Sequence, residues 1–294
     1  MSIVTSRLLR AIIPKFIHKR ILAGVVRRKV LDYYGSLSGT LSDEVKSVLD
    51  DLKTKPVTVF PYHPLDQYAA DSVKVYKDKG KGLHYVLLDG KRLYFKKKWN
   101  KGRIRKSFIG LLREQDPICP HCYEKGNFKF DEGEVLVDVG AAEGNYALSV
   151  VEKASRIILF ESDKNWIEAL NATFKPWKDK VTIVNKFVGD VNNSDCVTLD
   201  DFFSRREKIS FIKIDVEGAE SQLLKGCERI LQEVRPLKLA ICTYHKQDDE
   251  EQFTKLLNKN GFETQHSDGF MLVYHDRRLK APYLRRGMIR ATKS

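Results

Sequence analysis

From residue 134 onward the chain alternates short apolar runs with stretches whose apolar positions recur every three or four residues. Short runs rich in Val, Ile and Phe read as buried strands, and the longer periodic stretches read as helices. "EVLVDVG" (134–140) is thus a strand, 144–154 a helix, "RIILFE" (156–161) a strand and 163–175 a helix. "KVTIVNKFV" (180–188), "ISFIKID" (209–215) and "LKLAICTY" (237–244) are further strands, with helices over 217–233 and 247–260. This alternation predicts an α/β fold: a Rossmann-like, doubly wound, mostly parallel sheet with helices on both faces. "GFETQHSDGFMLVYH" (261–275) departs from it, because two strand-like runs flank Asp268-Gly269, a hairpin signal. The sheet is therefore expected to finish on an antiparallel C-terminal strand. Upstream, "LHYVLLDGKRLYFKK" (83–97) reads as a β-hairpin turning at Asp89-Gly90, the clearest element of a small N-terminal subdomain over 32–117.

Charge divides the chain differently. Of the net +13 over 294 residues, residues 1–31 carry +8 and 276–294 carry +6, which leaves about −1 for everything between. The N-terminal segment interleaves Leu8, Leu9, Ile12, Ile13, Phe16, Ile17, Ile21 and Leu22 with Lys and Arg, and Pro14 predicts a kink. Its longest apolar run, Ile21 to Val26, is too short to span a bilayer or to form a signal core. A basic amphipathic element remains, which lies on an anionic membrane surface, packs on its own domain, or serves as a transit peptide. Residues 276–294 read as a basic tail. Five cysteines without framework spacing fit a reduced, cytoplasmic compartment, with peripheral contact at the inner membrane face as the expectation from the basic ends.

In an open doubly wound sheet, ligands bind beyond the carboxyl ends of the strands. The residues at those ends are Asp138 to Gly144, Glu161-Ser162, Gly189-Asp190, Asp215 to Glu220, and Tyr244-His245. "VDVGAAEGNY" (137–146) is a strand ending in a glycine loop that opens a helix. A dinucleotide fingerprint would require glycine at Ala142 and Asn145, so a pyrophosphate-bearing cofactor is disfavoured. Gly140 allows close backbone approach, and Gly144 lets the helix pack near the strand. Glu161, 21 residues after Gly140, ends the next strand, where an acid can accept two ribose hydroxyls.

"VDVGAAEGNY", "LFESD" (159–163), "TLDDFF" (198–203) and "IKIDVEGAE" (212–220) together resemble the FkbM-type methyltransferases, over 118–275. The D-x-G-x-x-x-G spacing of the glycine loop, with an acid two residues before Gly140, resembles the first motif of class I S-adenosylmethionine-dependent methyltransferases. That resemblance implies that Asp138 meets the ligand's ammonium, Ser162 flanks its adenine and Asp190 receives the adenine amino group. The resemblance implies S-adenosylmethionine as cofactor, bound by Asp138, Gly140, Ala141, Ala142, Glu143, Gly144, Tyr146, Glu161, Ser162, Asp190 and Asp215. It also implies O-methylation, commonly of sugar or polyketide hydroxyls, and the hairpin and "APYLRRGMIRA" look like members associated with surface polysaccharides. His121 and Tyr123 then cover the cofactor. Glu143 departs from the Asn that many relatives carry, and the cysteines of "CPHCY" (119–123) are atypical.

An alcohol needs a base near neutral pH, and the candidates are His245, then Glu217, then Asp215. Glu217 and Glu220 share a face on the expected helix, and Glu220 also fits a plain helix-start acid. A divalent metal on Asp215, Glu217 and another acid is conceivable, although no complete ligand set is visible. Cys119, His121 and Cys122 suggest zinc, but one CxxC lacks the four ligands of a closed site. The expected acceptor is a hydroxyl of a surface or lipid-linked glycan. The alternatives are a nucleic-acid methyltransferase, disfavoured because "DVEG" replaces the Asn/Asp-Pro-Pro-aromatic string for exocyclic amines, and a non-catalytic S-adenosylmethionine-binding protein.

Overall fold

The computed structural model describes residues 15–61 and 68–294. Helix α1 (Lys15–Gly35) is followed by α2 (Asp43–Thr54), which starts at Ser42, whose hydroxyl accepts from the Val45 amide at 3.3 Å. Val26, Val30 and Tyr34 of α1 pack on Val48, Leu49 and Leu52 of α2, and on Leu272 and Leu284 from the far end of the chain. From about residue 22 the basic N-terminal segment therefore packs on its own protein. Leu8, Leu9, Ile12, Ile13 and the kink expected at Pro14 lie outside the described residues.

Strands β1 (Tyr76–Asp78), β2 (Leu83–Leu88) and β3 (Lys91–Tyr94) form an antiparallel meander. Asp89 and Gly90 join the last two at φ 49° and 77°, the paired positive values of a tight hairpin turn. Helix α3 (Lys101–Glu114) follows, capped by Asn100.

The main sheet then builds as β4 (Val135–Val139), α4 (Asn145–Val150), β5 (Arg156–Phe160), α5 (Lys164–Phe174) and β6 (Val181–Val184). A separate parallel pair, β7 (Phe187–Val188) and β8 (Cys196–Val197), leads through α6 (Leu199–Phe202) to β9 (Phe211–Ile214). Helices α7 (Glu220–Lys225) and α8 (Glu228–Glu233), strand β10 (Leu237–Cys242), α9 (Asp249–Lys259), β11 (Glu263–His266) and β12 (Met288–Lys293) complete the chain.

The seven-stranded order is β11-β12-β10-β9-β4-β5-β6, parallel except for β12, which runs antiparallel to both β10 and β11. Side chains alternate between two buried faces, as strand geometry requires. Leu136, Ile157 and Leu159 face α4, α5, α3 and the β-meander, so the N-terminal subdomain shares this core. Val137, Ile158, Ile212 and Ile214 face α7, α8 and α9. Each such side chain contributes about 1.5–3 kcal/mol by leaving water. Order reverses between β4 and β9, and that switch point opens a crevice at their carboxyl ends.

Two expected elements differ. The hairpin at Asp268-Gly269 does not form, and β12 comes instead from within the segment expected as a basic tail. The Ser267 hydroxyl accepts from the amides of Gly287 and Met288, while Gly269 donates to Glu44 and Leu272 to Val59. The chain is thereby drawn over to α2 before it returns. The helix expected at 217–233 starts at Glu220 and breaks at Gly226, where a Cβ would fall 1.8 Å from the Gly189 carbonyl. Among the described residues, no helix is long and apolar enough to cross a membrane.

Candidate active site

The crevice is built first by a close backbone contact. Gly140 follows β4 at φ 78°, and a Cβ there would lie 1.9 Å from the Asp215 carbonyl oxygen at the end of β9. Only glycine lets the two strand ends meet this closely. Gly144, at φ 75°, opens α4 where a Cβ would come 2.8 Å from Leu170 and 2.9 Å from Phe174 of α5.

Asp138 and Lys213 face each other in the β4/β9 register, both almost fully buried. Lys213 Nζ lies 3.0 Å from Asp138 and donates to the Gly140 carbonyl at 2.7 Å. Burial pulls the lysine pKa down, but Asp138 and Asp215 together raise it more, so it stays a cation. Asp138, expected to meet a cofactor ammonium, is thus committed to Lys213. The lysine was missed, although a charged residue inside "ISFIKID" opposite an acid in "EVLVDVG" was a signal for it.

Glu161 ends β5 and is fixed at both oxygens, accepting from the Ala142 amide at 2.7 Å and the Asp163 amide at 2.6 Å. Carboxylate oxygens each retain a second lone pair for a further donor. Beside it opens a cavity of about 360 Å³ lined by Gly140, Ala142, Glu161, Ser162, Phe187 and Asp215. That size falls in the range of small-ligand sites. Ala141, Glu143, Gly144 and Tyr146 support the loop from behind. Ala141 donates to the Phe160 carbonyl, Glu143 accepts from Ser107 of α3 at 3.0 Å, and Tyr146 packs 5.0 Å from the Tyr123 ring.

Asp190 stands apart, exposed and outside the lining. The strand expected to carry it ends early, because Asn185 turns its side chain onto the Glu161 carbonyl at 2.7 Å. The chain then pairs as β7 with β8, leaving Lys186 and Phe187 at the cavity, Phe187 with 60% of its surface exposed.

At the far wall four rings converge on Asp215. Its oxygens accept from Tyr123 at 3.1 Å and Tyr244 at 3.3 Å, with His121 Nε2 at 3.5 Å and His245 Nε2 at 3.7 Å. Burial raises the Asp215 pKa, but His121, Lys213 and His245 outweigh it and hold the carboxyl well below its usual range. Burial pushes both tyrosines well up, so they remain protonated donors. Glu114, at the end of α3, is raised to about 6 by burial and adds to the field on His121.

Glu217 and Glu220 do not share a helical face. Glu217 sits before α7 at φ 55° with its side chain 92% exposed, whereas Glu220 is wholly buried and reaches His245 Nδ1 at 2.8 Å. The reading of Glu220 as a plain helix-start acid is therefore corrected. Its signal was its place in "DVEGAE", where the glycine turn lets the chain fold back on itself.

Glu217, considered with Asp215 for a divalent metal, points into solvent, and the donors that come together are different ones. Asp215, Glu220 and His245 bring one donor atom each within 4.8 Å of the others. Asp215 is engaged by two tyrosine hydroxyls, Glu220 Oε1 by two amides, and cationic Lys213 acts on Asp215, so the charge of these acids is already partly balanced within the protein. The zinc reading of "CPHC" fails. His121 turns to Asp215 and Cys242, while Cys122 Sγ contacts the carbonyls of Gln115 and Glu124.

A glycine loop, a pinned acid at the second strand end and a cavity at the switch point define an α/β methyltransferase-like architecture. Residues 127–275 match the family described as the methyltransferase FkbM domain, and the chain belongs to it. No curated protein matches the chain. Among solved structures it is similar to the methyltransferase FkbM from Methylobacillus flagellatus KT, at 18% identity and a TM-score of 0.45. That match covers 87% of this chain, which spans 64% of the length of that protein. It is also similar to an rRNA methylase from Streptococcus thermophilus, at 16% identity and a TM-score of 0.37, covering 55% of this chain and 88% of that one.

Proposed function

We propose that the chain moves the methyl group of S-adenosylmethionine to a hydroxyl oxygen, on a sugar of a surface polysaccharide or lipid-linked glycan. The observation that carries this reading is the 360 Å³ cavity at which the Gly140 loop, Glu161 and Asp215 converge. In it Glu161 receives the ribose hydroxyls, Ser162 and Phe187 flank the adenine, and ionised Asp215 faces the positively charged end of the cofactor. Asp190, expected at the adenine amino group, stands outside the cavity, and the exposed Phe187 ring offers a stacking surface there instead. Methyl transfer needs an in-line oxygen nucleophile, so alignment is the main task and can account for about 7–11 kcal/mol of barrier lowering. His245, beside Asp215, supplies the base for the hydroxyl proton. Family membership supports methyl transfer; the base at the crevice and the "DVEG" strand end support oxygen as the acceptor atom.

Exposed Lys19, Arg20, Arg28 and Lys29 on α1 support peripheral attachment to anionic membrane at the cytoplasmic face. Calorimetry tests the cofactor reading. Wild type should bind S-adenosylmethionine and S-adenosylhomocysteine, and Glu161→Ala should weaken both at least about tenfold, the loss of one charged hydrogen-bonding group. Equal affinity in the variant would defeat the assignment.

A further inference from the structure

We propose that Glu220 is a positioning residue that holds His245 with its Nε2 lone pair turned toward the acceptor, making the two a carboxylate–imidazole pair. This rests on the hydroxyl-methylation reading above. Glu220 and His245 form a close, buried ion-pair contact. Glu220 is fully buried, and its Oε1 accepts from the amides of Val216 at 3.1 Å and Gly218 at 3.3 Å, which prevent it from swinging away. The same oxygen lies 2.8 Å from His245 Nδ1. On the other side of the ring, Nε2 lies 3.7 Å from Asp215 Oδ1 and 3.7 Å from Glu217 Oε2, whose side chain is solvent-exposed. The imidazole therefore runs from a buried acid to the open end of the crevice.

An imidazole serves as a base only if the correct nitrogen is free. A fixed carboxylate at Nδ1 accepts from the N–H there, which keeps the proton on Nδ1 and leaves Nε2 unprotonated, and it stabilises the imidazolium once it forms. Glu220 meets both conditions. As the new O–CH3 bond forms and the C–S bond breaks, its electron pair stays on sulfur to give S-adenosylhomocysteine, and the hydroxyl proton passes to His245 Nε2. The surroundings favour the charged ring: Asp215 from β9, Glu217 from the turn, Glu220 from α7 and Asp249 from α9 all face it, and Arg285 donates only to its carbonyl. Burial lowers the His245 pKa, and Glu220 leads the charges that raise it above the ordinary value.

A purely structural Glu220, capping Val216 and Gly218, makes a different prediction from a positioning one, and Glu220→Gln separates them. The glutamine carbonyl still accepts from both amides but carries no charge. Histidine NMR on the full chain, with His245→Asn assigning the signal, should show the Nδ1–H tautomer and a raised pKa in wild type. In Glu220→Gln, with the largest raising charge gone, the pKa should fall below the wild-type value. Methyl transfer from tritiated S-adenosylmethionine to a solvent-extracted glycan pool should slow about 10²-fold, with S-adenosylhomocysteine affinity unchanged. An unaltered His245 titration and rate in Glu220→Gln, with His245→Asn slow, would overturn the pair but leave the base. Full activity of His245→Asn would remove the base reading itself. Activity abolished by a chelator and restored by Mg²⁺ would overturn the pair in favour of a metal centre.

Discussion

Replacing Lys213 by Met tests how the crevice is held together. The two side chains are similar in length, so the change removes a charge while keeping most of the volume. Lys213 is about 3% exposed, 3.0 Å from Asp138 and 2.7 Å from the Gly140 carbonyl, and its charge also acts on Asp215. Without it, Asp138 is a buried carboxylate, about 1% exposed, that has lost its ion-pair partner. Removing one partner of such a pair costs about 3–5 kcal/mol. With an unfolding entropy of about 2.1 cal/mol/K per residue over 294 residues, that corresponds to a melting temperature lower by about 5–8 °C. The variant should escape part of this cost by protonating Asp138. Burial already raises the Asp138 pKa against the pull of Lys213, and loss of the lysine raises it further, so the deficit is largest near neutral pH and narrows as the pH falls toward about 4, where Asp138 is protonated in the unfolded chain too. Scanning calorimetry near neutrality and near pH 5, with Asp138→Asn and the double variant completing a cycle, measures the pair term. A melting temperature near neutrality within about 1 °C of wild type, or strict additivity of the two changes, would refute the argument that this pair braces β4 against β9.

Three further outcomes follow from particular contacts. Gly140→Ala should cost about 2 kcal/mol or more and lower S-adenosylhomocysteine affinity, because the methyl demands both a left-handed conformation and separation from the Asp215 carbonyl; thermal melts with calorimetry check both. Burial lowers the His121 pKa but Asp215 and Glu114 raise it more, so its stabilising contribution is fully present below about 6.5 and fades as pH climbs through the raised folded value. His121→Asn should therefore lose most stability relative to wild type below about pH 6.5, and a gap that instead widens with rising pH would show the sign to be wrong. Charge reversal at Lys19 and Arg20 should reduce sedimentation with anionic vesicles without shifting the melt, since both side chains are exposed.

Local pattern carried much of the architecture. Apolar runs at 135–139, 156–160, 211–214 and 237–242 are strands because a β-branched or aromatic run of that length has to be buried on both faces. The Asp89-Gly90 hairpin, the glycine loop at 140–144 and Glu161 at a strand end were equally legible, since turn chemistry and position along a strand are properties of a few adjacent residues. Strand β12 was not. Its partner choice depends on Ser267, Glu44 and Val59, which draw the preceding loop across the molecule, and no local pattern encodes a contact with residues more than 200 positions away.

The site divides in the same way. Which residue types stand at the strand ends was readable in advance; which of them meet was decided by the fold. Asp138 and Lys213 are 75 positions apart in the chain and become partners only through the β4/β9 register. Asp190 is carried off because Asn185 ends β6 early, and Phe187 takes the place at the cavity. Glu217 and Glu220 look equivalent in the string "DVEGAE", yet positive φ at Glu217 and Gly218 turns one into solvent and the other into the core against His245. Sequence alone determined the parallel strands at the centre of the sheet, the glycine loop and the stock of acids and imidazoles at the rim, because these follow from short-range preferences and burial. Tertiary structure decided their pairing and protonation, because a carboxylate takes its role from the charges, donors and desolvation around it, and those come from distant parts of the chain.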